Sequence, residues 1–404
     1  MNNPFAIIYL LLSIAVSHTI YAQDTTAKKV KIPKHYFTPT FYSDYYYTPT
    51  SYFPNRRGFV VDSNQTAIAR QLKDYQYSQL TGGFYIPLVT NEKNHEDGRV
   101  SNFHLLATGS YMIAMPRFSG ISAHNILKAS IGLRGIYNTG KKGIWFFDAT
   151  PFIVGDLSTK GTMVSRWAST VLYDRIVTPN FSYRVGITRT FLLGNRFHLP
   201  YLGIRVGRLD KTYLSVQFPR FVSLSFPMGS KFRGSFYTKA MGNLLAMGNT
   251  DTLYNGTNGK STDIDKTIIF GRYDGNTGMR LDFNPSSHFS IYGAFGFAGI
   301  RGIALYSNQY NAKKNTDVLV PFFTHRMPAS LYFNLGLTIR IGRARSVYGN
   351  HNMYEVFNAN SSIDTGDNNI DTGNGNIPNE TKKKTITNLR TRDIQDLIEA
   401  QDLY

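Results

Sequence analysis

The stretch from Leu331 to Gly342, LYFNLGLTIRIG, alternates between two chemistries along its whole length. Read as a strand, Leu331, Phe333, Leu335, Leu337, Ile339 and Ile341 face one way. Tyr332, Asn334, Gly336, Thr338, Arg340 and Gly342 face the other. Strands of globular proteins usually run about five or six residues. Twelve residues with one wholly apolar face suit a strand that crosses a bilayer, which needs about nine to eleven residues with lipid on one side and a wetter lumen on the other.

The start of the chain agrees. An apolar run from Phe5 to Val16, a short polar piece and Ala22 precede an acidic, Thr-rich segment, which is the pattern of a cleavable export signal, with cleavage expected after Ala22. No Lys or Arg precedes the run. It is well short of the roughly 18 apolar residues that a transmembrane helix requires, as is every other apolar stretch. Cysteine is absent, which excludes a disulfide framework, a thiolate metal site and an amino-terminal lipoprotein anchor. With 27 Tyr, 28 Phe and 35 Gly against 17% charged residues, the chain is rich in strand and turn formers. Its modest mean hydropathy does not argue against a membrane, because barrels alternate apolar with polar positions.

Similar segments recur before Leu331. Phe289, Ile291, Phe295 and Phe297 oppose Ser290, Tyr292, Ala294 and Gly296; Met279, Leu281 and Phe283 oppose Arg280 and Asp282. Only NPSS separates these two segments, a turn made of residues that favour tight turns. Strands are expected near 75–88, 101–115, 126–138, 143–155, 179–190, 199–209, 212–226, 231–241, 267–284, 288–300 and 330–342, the seventh bulged at Pro219. Short turns alternate with long connections at Asp156 to Val177, Gly242 to Lys266 and Arg301 to Met327, the rhythm of an up-and-down membrane barrel. Asp210-Lys211 breaks the rhythm. Single-chain bacterial barrels have an even strand number, so a twelfth strand is sought in KHYFTPTFYSDYYYTPTSYF, where an extended periplasmic arm is the competing reading. Ten strands is the other even count close by. Ile68, Leu72 and Tyr75 have helical spacing behind Ser63 and suggest a short plug helix.

These signals divide the chain into a signal peptide (1–22), a segment holding the arm, possible first strand and short helix (23–74), the barrel (75–342), an Asn- and Gly-rich disordered linker (343–384) and an amphipathic C-terminal helix (385–404). The formal charge is +18, yet from Arg343 onward seven basic residues face nine acidic ones, so 37 basic and 17 acidic residues precede it. For an exported chain the polyanions at hand are lipopolysaccharide phosphates and anionic solutes, not nucleic acid.

Asn334, Gly336, Ile339 and Ile341 resemble the signal by which bacterial barrel assembly machinery recognises the last strand: a polar residue, a glycine two on, then alternating apolar residues. Two departures stand out: the last positions are aliphatic where aromatics are usual, and 62 residues follow Gly342. The span from GGFYIPLV through the GIRVG strand and the FPR segment to Gly342 is similar to a bacterial family of outer-membrane β-barrels of unknown function. That resemblance implies fold and location and brings no catalytic residue.

Catalysis has little support in the sequence. There is no Gly-x-Ser-x-Gly elbow, paired-His metal motif or phosphate loop, no cofactor is implied, and His104 and His124 are expected to be exposed. The constellation to follow is arginine. Arg134, Arg184, Arg205, Arg280 and Arg340 each sit in mid-strand on the polar face, and lipid exposure would cost about 2–4 kcal/mol apiece, so they are expected to line the lumen. They would either attract anions through a pore or pair with carboxylates such as Asp148 and Asp282 and fill it. The expected protein is a non-enzymatic, porin-like or structural barrel in the outer membrane with a periplasmic tail. Its expected partners are membrane lipids, lipopolysaccharide and the assembly machinery; the alternatives are a docking barrel whose tail recruits a periplasmic envelope or secretion partner through residues 385–404, and a lipid-modifying enzyme.

Overall fold

The computed structural model describes residues 38–53, 72–94, 100–139, 143–159, 163–178, 180–192, 195–208, 211–218, 221–249, 267–286, 288–311 and 316–341. Among them are fifteen strands and no helix. In chain order these are β1 (Thr40–Tyr52), β2 (Asp74–Asn94), β3 (Val100–Phe118), β4 (Ile126–Asn138), β5 (Gly143–Asp156), β6 (Val164–Thr178), β7 (Phe181–Leu192), β8 (Asn195–Gly207), β9 (Tyr213–Phe218), β10 (Phe221–Pro227), β11 (Phe232–Gly248), β12 (Thr267–Ser286), β13 (Phe289–Asn311), β14 (Thr316–Met327) and β15 (Ser330–Arg340). Each strand from β1 to β12 pairs antiparallel with the next, β13 pairs with β15, and β15 pairs with β1. Fourteen strands thus close an up-and-down barrel. The fifteenth, β14, pairs only with the far half of β13, from Arg301–Met327 to Asn311–Thr316, above the stretch where β13 pairs with β15.

The barrel has two strands more than the expected twelve, through β6 and a seventh strand that is really two, and β14 lies beside it. The Tyr-rich segment does supply β1, whose Thr40 stands opposite Arg340 and Tyr85. The supposed long connection after Asp156 contains β6. The expected strand at 212–226 is two antiparallel strands instead of one bulged strand: Phe221 faces Gln217 and Ser225 faces Tyr213, with Pro219 outside the described residues. The supposed long connection after Arg301 likewise holds the rest of β13 and all of β14. The proposed plug helix lies mostly outside the described residues, and Tyr75, assigned to it, stands in β2. The export signal, the linker and the C-terminal helix also lie outside them.

With β6 in place every connection on one side is short. Those on the side of Thr40 and Arg340 have two to five residues, whereas 53–73 and 249–266 lie on the opposite side. The short 208–212 connection now falls on the short-turn side, so the exception at Asp210-Lys211 disappears. Gly229, with φ of 115°, takes the left-handed conformation that the 228–231 turn needs and that glycine adopts without a Cβ penalty.

The two faces of the wall follow strand parity. On β15, Leu331, Phe333, Leu335, Leu337, Ile339 and Ile341 are 40–61% exposed, while Tyr332, Thr338 and Arg340 are buried. Ile131 and Leu133, Val185 and Ile187, and Leu202, Ile204 and Val206 continue this outer face on other strands. A band of that extent far exceeds the few hundred Å² of apolar surface that water-soluble monomers expose. Near the short-turn end it carries Tyr137, Trp145, Phe147 and Tyr183, the amphipathic rings favoured at a membrane interface. At the other end, inward side chains of β3, β5, β11, β12, β13 and β14 pack into one apolar cluster that includes Phe118, Phe152, Met247, Phe270, Leu305 and Phe322.

Candidate functional site

All five arginines singled out in the sequence lie on inward-facing parity positions. Arg134 on β4 stands directly opposite Asp148 on β5; its Nε donates to Asp148 Oδ2 at 2.8 Å, and Nη2 lies 2.6 Å from the same oxygen. Thr150 donates to the other carboxylate oxygen at 2.6 Å. Arg184 on β7 faces Asp174 on β6 and holds both of its oxygens, at 2.5 and 2.6 Å, with its guanidinium over the Phe146 ring. Arg280 pairs along its own strand with Asp282 at 2.8 Å and lies 3.7 Å from the Tyr292 ring centroid. Arg205 is buried between Ser182 and Ser215 on the neighbouring strands. Arg340 is buried at the short-turn end of β15.

The deepest charged group was not among the five. Arg272 and Asp274 on β12 pair two residues apart, and Arg301 on β13 lies directly opposite Asp274, with Nε 3.3 Å from the carboxylate. Arg301 also donates to Ser51 Oγ at 2.8 Å and to the Pro328 carbonyl at 3.3 Å. The Arg272 guanidinium lies 3.7 Å from the Tyr77 ring centroid and 4.9 Å from that of Tyr46. Two cations thus share one carboxylate, and tyrosine faces take up part of the remaining charge. A sequence signal did exist: Arg272-Tyr-Asp274 has the same spacing as Arg280-Leu-Asp282, and period-two parity turns each pair to one face.

Neither histidine is exposed. His104 is fully buried, with a ring nitrogen 3.1 Å from Thr90 Oγ1. His124 is 1% exposed, and its Nδ1 lies 2.6 Å from Asp156 Oδ2. Asp156 also accepts from the Ser158 amide at 2.9 Å and from the Gly248 amide at 3.0 Å. Because Gly248 ends β11 and Asp156 ends β5, this carboxylate ties two strands together across the mouth. Hydrogen bonds to a charged group contribute about 1.5–3 kcal/mol each. Asp156→Ala, which removes all three, is therefore expected to loosen the mouth and make bilayer recordings noisier. Recordings as quiet as the parent's would mean that the apolar cluster shuts this end without the clamp.

The assembly-signal positions have structural settings of their own. Ile339 and Ile341 point outward. Asn334 Nδ2 donates to Tyr292 Oη at 3.4 Å, and a Cβ on Gly336 would run into the Tyr292 ring directly opposite it.

A closed antiparallel barrel with an apolar outer face and a charged, buried inner face is the outer-membrane β-barrel fold. No family model matches the chain, and no curated protein sequence matches it. Among solved structures the chain is similar to the β domain of the Bordetella autotransporter BrkA, at 11% identity over 75% of this chain and 100% of that one, with a TM-score of 0.26. It is similar to an outer membrane channel from Pseudomonas putida at 8% identity, over 79% of this chain and 100% of that one, with a TM-score of 0.28. A Pseudomonas aeruginosa FadL homologue matches at 9% identity over 75% and 90% of the respective chains, with a TM-score of 0.25. Likenesses this distant say nothing of what the lumen does.

Proposed function

We propose that this protein is a non-enzymatic structural barrel of the bacterial outer membrane whose lumen is closed by its own side chains. The short-turn end would face the periplasm, together with the tail after Gly342 and the partner site at residues 385–404. The long connections would face outward, toward lipopolysaccharide. Assembly would use Asn334, Gly336, Ile339 and Ile341 as the last-strand signal, and membership of the barrel family of unknown function belongs to the same reading.

The observation that carries the closed lumen is the pairing of Arg134, Arg184 and Arg280 with Asp148, Asp174 and Asp282. A paired guanidinium offers a passing anion far less field than a bare one, and a lumen of paired side chains leaves little room for solute. Planar-bilayer recording tests this. The parent protein is expected to pass small currents, and Arg205→Ala with Arg280→Ala is expected to lower the unfolding temperature without raising them. Removing Arg280 leaves Asp282 charged and buried, which is costly. Large anion-selective currents in the parent, cut by the two substitutions with no loss of stability, would instead make it a working anion channel.

A further inference from the structure

The charges on β5 to β8 are divided between the two faces of the wall. The three carboxylates of these strands, Asp148, Asp156 and Asp174, all turn inward, where Arg134, His124 and Arg184 hold them. Arg175 on β6 and Arg189 on β7 turn outward, in the same parity as Val171 and Ile187. On β5 to β8 no acid is left to hold either one.

Arg189 lies toward the end away from the short turns, in one row with Ser169 on β6 and His198 on β8. Its guanidinium lies over the Trp167 ring, 3.9 Å from the centroid, and its Nε makes no hydrogen bond. Trp167 and His198 are exposed. With one face on a ring, a guanidinium still offers its N–H edge, the planar fork that fits a phosphate. Its neighbours in the row, about 4.5–5.5 Å away across each ladder, add a hydroxyl and a ring nitrogen beside it.

The spacing of the two arginines points to a lipid as the bearer of that phosphate. Arg175 is level with Tyr183, and Arg189 follows six residues further along β7. Six residues of strand make about 20 Å, or about 15 Å of height at a tilt near 40°. On β15 the outward apolar row runs ten residues on from Leu331 to Ile341, about 33 Å of strand or about 25 Å of height, the usual apolar band. The belt is therefore lower across β6 and β7. Arginine reach makes up part of the difference, and lipid headgroups that settle lower on this side make up the rest. We propose that Trp167, Ser169, Arg189 and His198 form a docking site on the outer wall for a phosphate of lipid A, whose acyl chains lie along Val171, Val185 and Ile187. This deepens the reading above and rests on its orientation, in which this end meets the outer leaflet.

The test is equilibrium binding of radiolabelled lipid A to the protein in dodecyl maltoside, each variant first being checked for its heat-dependent shift on gels. The chain has two tryptophans, so Trp145→Phe leaves Trp167 as the sole indole, and its emission locates the ligand. Saturable binding that shifts this emission is expected, weakened about tenfold or more by Arg189→Gln and unaffected by Arg175→Gln. Phosphatidylglycerol and dephosphorylated lipid A are expected to bind about tenfold more weakly or worse. Absence of saturable binding to the parent, or equal binding of either of those two lipids, overturns the proposal whether or not the arginine variant folds. Equal binding by a folded Arg189→Gln does so too, as does an equal loss with Arg175→Gln, which would make the attraction one of net charge. Large bilayer currents alongside specific lipid A binding would remove the closed-lumen reading and leave this one standing. A tail epitope labelled on intact cells would put Arg189 in the other leaflet and overturn this one.

Discussion

Replacing Asp274 with alanine is expected to destabilise the barrel by about 3–5 kcal/mol, more than any other single charge removal, because two guanidiniums then remain buried without their carboxylate. Arg272 and Arg301 are 4% and 1% exposed, so neither can turn to water without moving a strand. Tyr77 and Ser51 would keep part of their hold, but contacts of that kind contribute only about 1–3 kcal/mol where an ion pair has been lost. The measurement is the temperature of the gel shift together with the urea midpoint. The triple change Arg272→Met, Asp274→Leu and Arg301→Met is expected to recover most of the loss, since apolar replacement of a whole buried ion cluster is often neutral or stabilising. An Asp274→Ala protein as stable as the parent would mean that the pair is not charged as drawn. A triple variant as unstable as Asp274→Ala would place the cost in shape.

How much of this could be read beforehand depends on what each strand buries. β15 was legible because lipid demands one wholly apolar face, and its outward set from Leu331 to Ile341 supplies it. β6 was not. Its inward face mixes Leu172 and Ile176 with Thr170 and Asp174, while its outward face carries Ser169 and Arg175 beside Trp167 and Val171, so neither parity reads as clean. The β9–β10 pair was hidden for a different reason. Each arm is too short to span a bilayer, and a rule that every strand must span favours one bulged strand over two short ones. The arginines were legible by parity, and Asp148 and Asp282 by proximity in the pattern. Asp174 was hidden with β6, and Arg301 with the supposed loop that β13 occupies.

Glycines in the wall were legible as residues but not as a unit, because their purpose depends on register. Tyr237, Gly278, Gly296 and Tyr332 stand level on β11, β12, β13 and β15. The two glycines make a trough in which the tyrosine rings meet, with Tyr332 Oη donating to Tyr237 Oη at 2.8 Å and Tyr46 stacked on Tyr332 with ring centroids 5.7 Å apart. A Cβ on Gly278 would run into the Phe295 carbonyl oxygen and the Tyr332 hydroxyl and lie 2.9 Å from Gly296 Cα. One on Gly296 would strike the Thr277 carbonyl and lie 2.5 Å from Gly278 Cα. Side chains can swing aside, but a ladder carbonyl cannot. Gly278→Ala and Gly296→Ala are each expected to cost about 3 kcal/mol, the upper end for overpacking, and Gly278→Val to abolish the heat-shifted form. Adding Tyr332→Leu to Gly278→Ala distinguishes ring from backbone. If the ring were the obstacle, the second change would restore the parent's unfolding temperature; with the Phe295 carbonyl still in place, the double variant is expected to stay at or below the level of the single one.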